Sequence, residues 1–511
     1  MAVIVILAII ALIAAPIVLD IIEDSKNSSI KRSAELYLDA VEQAIATSVM
    51  NDGLEDGTYI IDSKGNLKYK DKTIKVDVKN YNFESGTVII EQGQIKDIKL
   101  SNNEKVTTGK ELNKIDKWDG KTVKEVIADS NGIYHITKAS ELAWVAQQVN
   151  SGETFEGKTI SLDASLDLGG RYDKDGKKLG TEWIPIGTRI SADELFPFKG
   201  TFEGNNNVIS GIYINKDKID TNESKRLGLF GYVENSTLNN LQIKDSYIKA
   251  HSYIGILCGQ IKDSKINSII TNNIEIDSYQ AAGVVIGTTL SIEAKEIYSY
   301  NSKIKGECKA IGGVIGALQS SSSLIDSYSN SVVVNTGSEE LSQTGGITGG
   351  INKSIGDGLI SEATVRGETA HDVGGITGHL QASASVINSV SYASVIGLKY
   401  VGGIVGISSG YNGTNTIENI KSYATVHAIE ECAGGVLGTI SQGIHNVTDV
   451  YSKAKVSGIN KIGGIIGGFW VNHETTLNYQ KVVSESALEG ETNVGDFWGY
   501  VDSTGIINKL D

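Results

Sequence analysis

The sequence predicts a mainly β protein: a long N-terminal α-helix with a small antiparallel sheet, then a right-handed parallel β-helix of about ten coils. Three observations predict it. A charge-free apolar stretch at the start runs into an amphipathic one, and positions 53–117 alternate apolar with polar. From Trp118 onward the chain repeats itself with a period of about 28 residues. The segments are 1–52 (helix), 53–117 (small β head), 118–215 (lead-in to the solenoid with a capping helix) and 216–511 (repeats with a C-terminal cap).

Ala2 to Leu19 carries no charge. As a helix it spans roughly 27 Å, enough for a bilayer core. Val3, Ile6, Ile10, Ile13 and Leu19 carry the apolar surface, with Pro16 in their midst. Three readings of the stretch stay open. A cleaved signal wants a basic residue first, and none precedes Ala2. A single-pass anchor wants a basic cytoplasmic flank, whereas Asp20, Glu23 and Asp24 come before Lys26, Lys31 and Arg32. In the third reading the stretch is half of a longer helix. Ile30, Ala34, Tyr37, Val41, Ala44 and Ser48 form one apolar stripe, opposite Lys31, Arg32, Glu35, Asp39 and Glu42. Gly53 and Gly57 stop it, and Pro16 kinks it without ending it.

The β head is expected to hold four short antiparallel strands, with turns at Lys64-Gly65 and Gln92-Gly93. One sheet face, with Ile74, Val76 and Val78, covers the helix stripe.

The repeat is carried by Gly-rich hexads. "RLGLFG" ends at Gly231, "IGILCG" at Gly259, "AGVVIG" at Gly287, "IGGVIG" at Gly316 and "TGGITG" at Gly349. "VGGITG" ends at Gly378, "VGGIVG" at Gly406, "AGGVLG" at Gly438, "IGGIIG" at Gly467 and "VGDFWG" at Gly499. The spacing of these closing glycines is nearly constant, and the few longer steps imply loops that bulge at one corner while strand register is kept. A second unit recurs between them, as in "SEATVRG", "SYASVIG" and "SYATVHA". A unit this short cannot bury its own core, but stacked units can, at about 4.8 Å per coil. Ten coils make a rod of roughly 45–50 Å. Paired glycines suit corners that need positive φ or close packing. Open coil ends need caps. The helix near Ala139 to Val149 serves at one end, and Phe469, Trp470, Phe497 and Trp498 form a bulky plug at the other. Tyr392 and Tyr423 stack in register, with Tyr328 and Tyr451 near them, as packing or as an exposed strip for sugars.

Two families are resembled. "AVIVILAIIALIAAPIVLDII" and the small β segment after it are similar to a type IV pilin or pseudopilin, including the proline in the middle third. In that family a basic leader, a glycine, a phenylalanine and a glutamate precede the apolar stretch. Here Met1 stands in their place, so either the true start lies upstream, the favoured expectation, or the chain is a stub that anchors without polymerising normally. The resemblance implies a shaft helix that packs with other pilin-like subunits if that start exists. The hexads resemble the GLUG repeat over about Asn131 to Gly499, after the lead-in "ITKASELAWVAQQVN", "WIPIG" and "PFKGTFEGNNNVISGIYI". That succession occurs in many bacterial surface proteins and implies a surface adhesin.

Composition narrows the chemistry. With 61 acidic against 46 basic residues the net charge is −15, and no basic stripe stands out, which argues against nucleic acid as a partner. Cys258, Cys308 and Cys432 are widely spaced, giving neither a disulfide framework nor a zinc site. The hexads lack the ending of a phosphate loop, and the only "HE", His473-Glu474, is not part of HExxH. His371 and His379 bracket one hexad with no acidic or Cys partner in evident reach. Asp173 and Asp175 in "RYDKDGKKLG" faintly resemble a calcium loop without its closing glutamate. No rung repeats a carboxylate pair, so no catalytic residue, cofactor or metal is assigned and the protein is expected not to be an enzyme. The expectation is a structural or adhesive protein at the cell surface, anchored in the cytoplasmic membrane or in a pilus. It would bind an extracellular glycan or a host or matrix protein through variable corner loops such as "VNTGSEELSQ" and "ISSGYNGTNT". The alternative is a secreted β-helix enzyme acting on polysaccharide.

Overall fold

The computed structural model describes positions 37, 40–41 and 44–45, and residues 55–108 except 71, 77–82, 84, 92–93 and 103–104. It further describes residues 117–510 except 174–175, 190, 192–193, 217–220, 308, 339–341, 412 and 502–505. The chain divides into two compact units, Met1–Ile115 and Asp116–Asp511.

In the first unit the anchor residues Val3, Ile6, Ile10, Ile13, Pro16 and Leu19 lie outside the described residues, and so does the long apolar half of the expected helix. Positions 37, 40, 41, 44 and 45 are helical, and Tyr37, Val41 and Ile45 are buried in one cluster with Tyr59, Leu67, Val88 and Ile98. The Tyr37 hydroxyl donates to the Gly65 carbonyl at 2.7 Å, which ties helix to hairpin. The sheet has six strands where four were expected. Their spatial order is Lys72–Ile74, Leu67–Tyr69, Gly57–Ile61, Ser85–Glu91, Gln94–Asn102 and Lys105–Thr108, each antiparallel to its neighbours. Three-residue strands are too short to show an alternation, which is why they escaped a periodicity argument. The turn at Lys64-Gly65 does separate two strands, with Asp62 Oδ1 accepting from the Lys64 and Asn66 amides at 2.9 Å each. Val76 is buried, Ile74 is half-buried, and Val78 lies outside the described residues.

The second unit is a parallel β-solenoid. In one column, strands beginning at Ile133, Thr159, Thr201, Thr237, Lys265, Glu293, Ser323 and Ile355 stack in parallel, followed by those carrying Ser385, Thr416, Asn446, Asn478 and Asn508. Twelve successive pairings make about twelve turns, not ten. The difference is physical. The first three tiers of that column carry no Gly hexad, and Ile186 of "WIPIG" occupies the place below Phe230 where an eleventh hexad would stand.

Where hexads exist, they stack. The residue before each closing glycine forms one ladder: Phe230, Cys258, Ile286, Ile315, Thr348, Thr377, Val405, Leu437, Ile466 and Trp498. The interior is a mostly aliphatic column in the same register, Ile160, Phe202, Leu238, Ile266, Ala294, Leu324, Gly356, Val386, Ile417 and Val447. At Gly356 the missing side chain is replaced by Leu359 Cδ1. One corner is turned by a single left-handed residue in each of nine consecutive coils, Asn240, Ser268, Glu296, Asp326, Gly358, Asn388, Asn419, Asp449 and Lys481, with φ between +48° and +66°. A one-residue left-handed bend redirects the strand without leaving the ladder, and Asn and Asp tolerate it best.

At the N-terminal end lies α1 (Ala139–Asn150). Leu142, Val145, Ala146 and Val149, the face expected from the sequence, are buried. The Glu141 carboxylate accepts from the Thr137 and Lys138 amides at 2.8 and 3.0 Å and from Lys124 Nζ at 2.7 Å, which satisfies the free amides at the helix start.

Candidate ligand-binding surface

The repeat glycines are architectural. From Gly287 to Gly499, a Cβ on any closing glycine would lie 2.5 to 2.8 Å from the carbonyl oxygen of the closing glycine one coil before. Gly231 meets Gly187 in the same way, and Gly259 meets the backbone of Arg226. None of these ten glycines has positive φ, so close packing, not left-handed backbone, is what selects them. The second glycines behave likewise. A Cβ on Gly346, Gly375, Gly403 or Gly435 would strike the next coil's glycine carbonyl and the hydroxyls of Ser361, Ser391, Ser422 and Ser452 respectively. Those serines belong to the second repeated unit, which explains why the two units recur together.

Several polar groups are consumed inside. His445 is fully buried, its Nδ1 2.9 Å from Ser408 Oγ and its Nε2 3.0 Å from the Gln442 carbonyl, and burial pushes its pKa down to about 4, so it stays neutral. Sequence reading found no acidic partner for His379. The fold supplies one, because the hexad doubles the chain back and brings Asp372 Oδ2 to 3.1 Å from His379 Nδ1, both buried. His371 instead packs edge-on to Tyr400 at 6.3 Å. Asp173 Oδ1 accepts the Lys177 amide at 2.9 Å, the bond of a tight turn, while Asp175 lies outside the described residues. Among the described residues no cluster of His, Cys, Asp or Glu could hold a metal ion. Among the same residues no helix is long and apolar enough to cross a membrane.

The outer faces vary from coil to coil. Tyr392 and Tyr423 stack as expected, with ring centroids 5.2 Å apart and planes 9° from parallel, and Tyr451 follows at 6.1 Å. Because the rings cover each other's faces, this strip shows mainly edges and hydroxyls outward, a poor platform for a sugar ring. The Tyr328 and Tyr451 hydroxyls donate to Glu362 and Glu485 at 2.8 and 2.7 Å. Partial burial, with Glu362 as neighbour, pushes the Tyr328 pKa up to about 12, so its phenol remains a neutral donor.

A different surface is concave. Along one corner, four coils line a groove of about 680 Å³ with Ser321, Asn352, Lys353, Gln381, Ser383 and Tyr411. Asn352 Nδ2 donates to Gln381 Oε1 at 2.9 Å, linking two amides across neighbouring coils. The loop of "ISSGYNGTNT" closes one end. Its Gly413 amide donates to the Gly410 carbonyl at 2.6 Å, and Gly410 to the Gln442 carbonyl at 2.8 Å. Gly413 backs onto the Ser383 hydroxyl with no space for a Cβ. That tight turn holds Tyr411 out in solvent, 59% exposed. Residues so far apart in sequence could not be grouped by motif; only the insertion at the corner pointed here.

Comparison with known proteins finds no protein-family model that matches the chain, so neither resemblance drawn from the sequence, to pilins or to the GLUG repeat, has a family match behind it. A stretch of 295 residues, 55% of the chain, is 23% identical to an immunoglobulin A1 protease of Streptococcus sanguinis, and the match covers 13% of that protein's length. This corrects the expectation of a non-enzymatic protein, since the similar protein is named as an enzyme. What the geometry and the likeness share is a parallel β-solenoid resembling part of an immunoglobulin A1 protease.

Proposed function

We propose that the solenoid is the outward-projecting part of a bacterial surface protein and presents a binding face to an extracellular target. The observation that supports this best is the division of labour across the coils. Eight successive hexads repeat the same backbone contact, while loops and side chains at the corners change from coil to coil. A fixed column with variable corners is what extended binding surfaces are built on. The apolar stretch from Ala2 to Leu19 supplies the tether in this reading. Antibodies against residues 216–511, applied to intact and to lysed cells that make the chain, test it. Labelling of intact cells, lost to the medium on deletion of residues 1–22, is expected; labelling of lysed cells alone overturns the reading.

The likeness favours a second reading, that the chain is a region of a peptidase and holds its substrate along the solenoid. Incubation of the full chain with immunoglobulin A1, with new termini sought by mass spectrometry, tests it. A defined cleavage site supports it, and intact immunoglobulin removes it.

A further inference from the structure

The groove beside Tyr411 carries more information than its shape. It crosses four coils, a run of about 14 Å at 4.8 Å per coil. Its lining carries the polar side chains of Ser321, Asn352, Gln381 and Ser383, with Ala382 the one aliphatic side chain among them. Lys353 stands among them on a left-handed corner residue, φ +49°, and has no carboxylate partner among the described residues. No carboxylate lines the groove, so Lys353 sets the sign of its charge. Tyr411, unlike Tyr392 and Tyr423, has no ring partner among the described residues, so its face is open.

We propose that this groove binds a short oligosaccharide carrying a carboxylate. The Lys353 ammonium faces the acid group, the hydrogen-bonded amides of Asn352 and Gln381 take and give further hydrogen bonds to ring hydroxyls, and the Tyr411 face covers the C–H side of one sugar ring. A peptide fits less well, since the lining offers no apolar pocket for side chains. The proposal names the ligand class for the binding face proposed above and rests on that reading.

The test is calorimetric titration of the purified full chain at low salt with short oligogalacturonate, a hyaluronan fragment and a sialylated trisaccharide. Each is paired with its carboxyl-reduced form, and polyglutamate is included. At least one acidic glycan is expected to bind saturably and more tightly than its reduced form. Its affinity should fall tenfold or more in Lys353→Met and in Tyr411→Ala, with unchanged melting temperatures, and recover in Lys353→Arg. Failure of every acidic glycan overturns the proposal, as does equal binding of polyglutamate or an unchanged affinity in Lys353→Met. A chain that binds the sugar in solution but is never displayed fails the surface reading alone, and a displayed chain that binds none of them fails this inference alone.

Discussion

At its N-terminal end the solenoid is covered by α1 and by a run of aromatic rings, Tyr134 against Phe155 at 5.2 Å, Phe155 against Phe198 at 6.4 Å, and Phe198 against Phe230 at 5.2 Å. At the other end Tyr479, Phe497 and Trp498 cluster, with Phe497 and Trp498 centroids 4.6 Å apart, but Val494, Tyr500, Ile506 and Leu510 are 41–56% exposed. Phe469 is buried one coil earlier, and the Trp470 side chain lies outside the described residues. Each coil contacts only its neighbours, so a coil with one neighbour forfeits an interface that an inner coil has twice. The contrast teaches that the aromatic end is more completely packed than the strand Ile506–Lys509, which is expected to open more easily.

The comparison can be broken or sharpened by substitution. The largest effect is expected in the middle. Gly435→Val drives a side chain into the Gly464 carbonyl and the Ser452 hydroxyl, with backbone on one side and a buried ladder on the other. More than about 5 kcal/mol should be lost, or folding abolished, in urea titration followed by circular dichroism. A variant that folds normally would show that the glycine ladder can shift. At the aromatic end, Phe198→Ala empties a fully buried site between Phe155 and Phe230 and should cost about 3–5 kcal/mol in the same titration.

Glu141 sharpens the picture through pH. Burial opposes its charge, but hydrogen bonds from Lys124 and from Thr137 and Lys138 outweigh it and hold its pKa below the usual carboxylate value of 4.5. A depressed carboxylate stabilises the fold above its unfolded pKa, and this contribution disappears as pH falls through the folded one. Glu141→Gln should therefore weaken the N-terminal end by about 1–3 kcal/mol at pH 7 and by progressively less as the medium is acidified below 4.5, read from Trp144 fluorescence. The smallest effect belongs to Ile506→Ser at the exposed end, within about 0.5 kcal/mol. A larger loss would reveal that something covers this coil. Hydrogen exchange fastest at Ile506–Lys509 and slowest near Ile376 checks the whole gradient.

Much of the column was legible because backbone-on-backbone contact tolerates only glycine, and a rule that strict leaves a mark in every coil. The first three tiers were missed because there the space is filled by Phe155, Phe198 and Phe202, which leave no periodic trace. The left-handed corners were hidden because Ser268, Glu296 and Lys481 interrupt the Asn and Asp that otherwise mark them. The groove was the least readable feature. Ser321, Lys353, Gln381 and Tyr411 sit about one repeat apart, and only the stacking register makes them neighbours. The Asp372–His379 pair is similar in kind, separated along the chain and joined by the fold at the hexad.

The closing-glycine ladder has a consequence for growth. Since each repeat packs only on the repeats directly beneath and above it, a tandem duplication in the gene would insert as one more storey. Reach would then increase in fixed increments of about 4.8 Å while every decorated corner kept its compass bearing. Length and surface chemistry are thus separately adjustable by mutation, a freedom that proteins folded around a single closed core do not have.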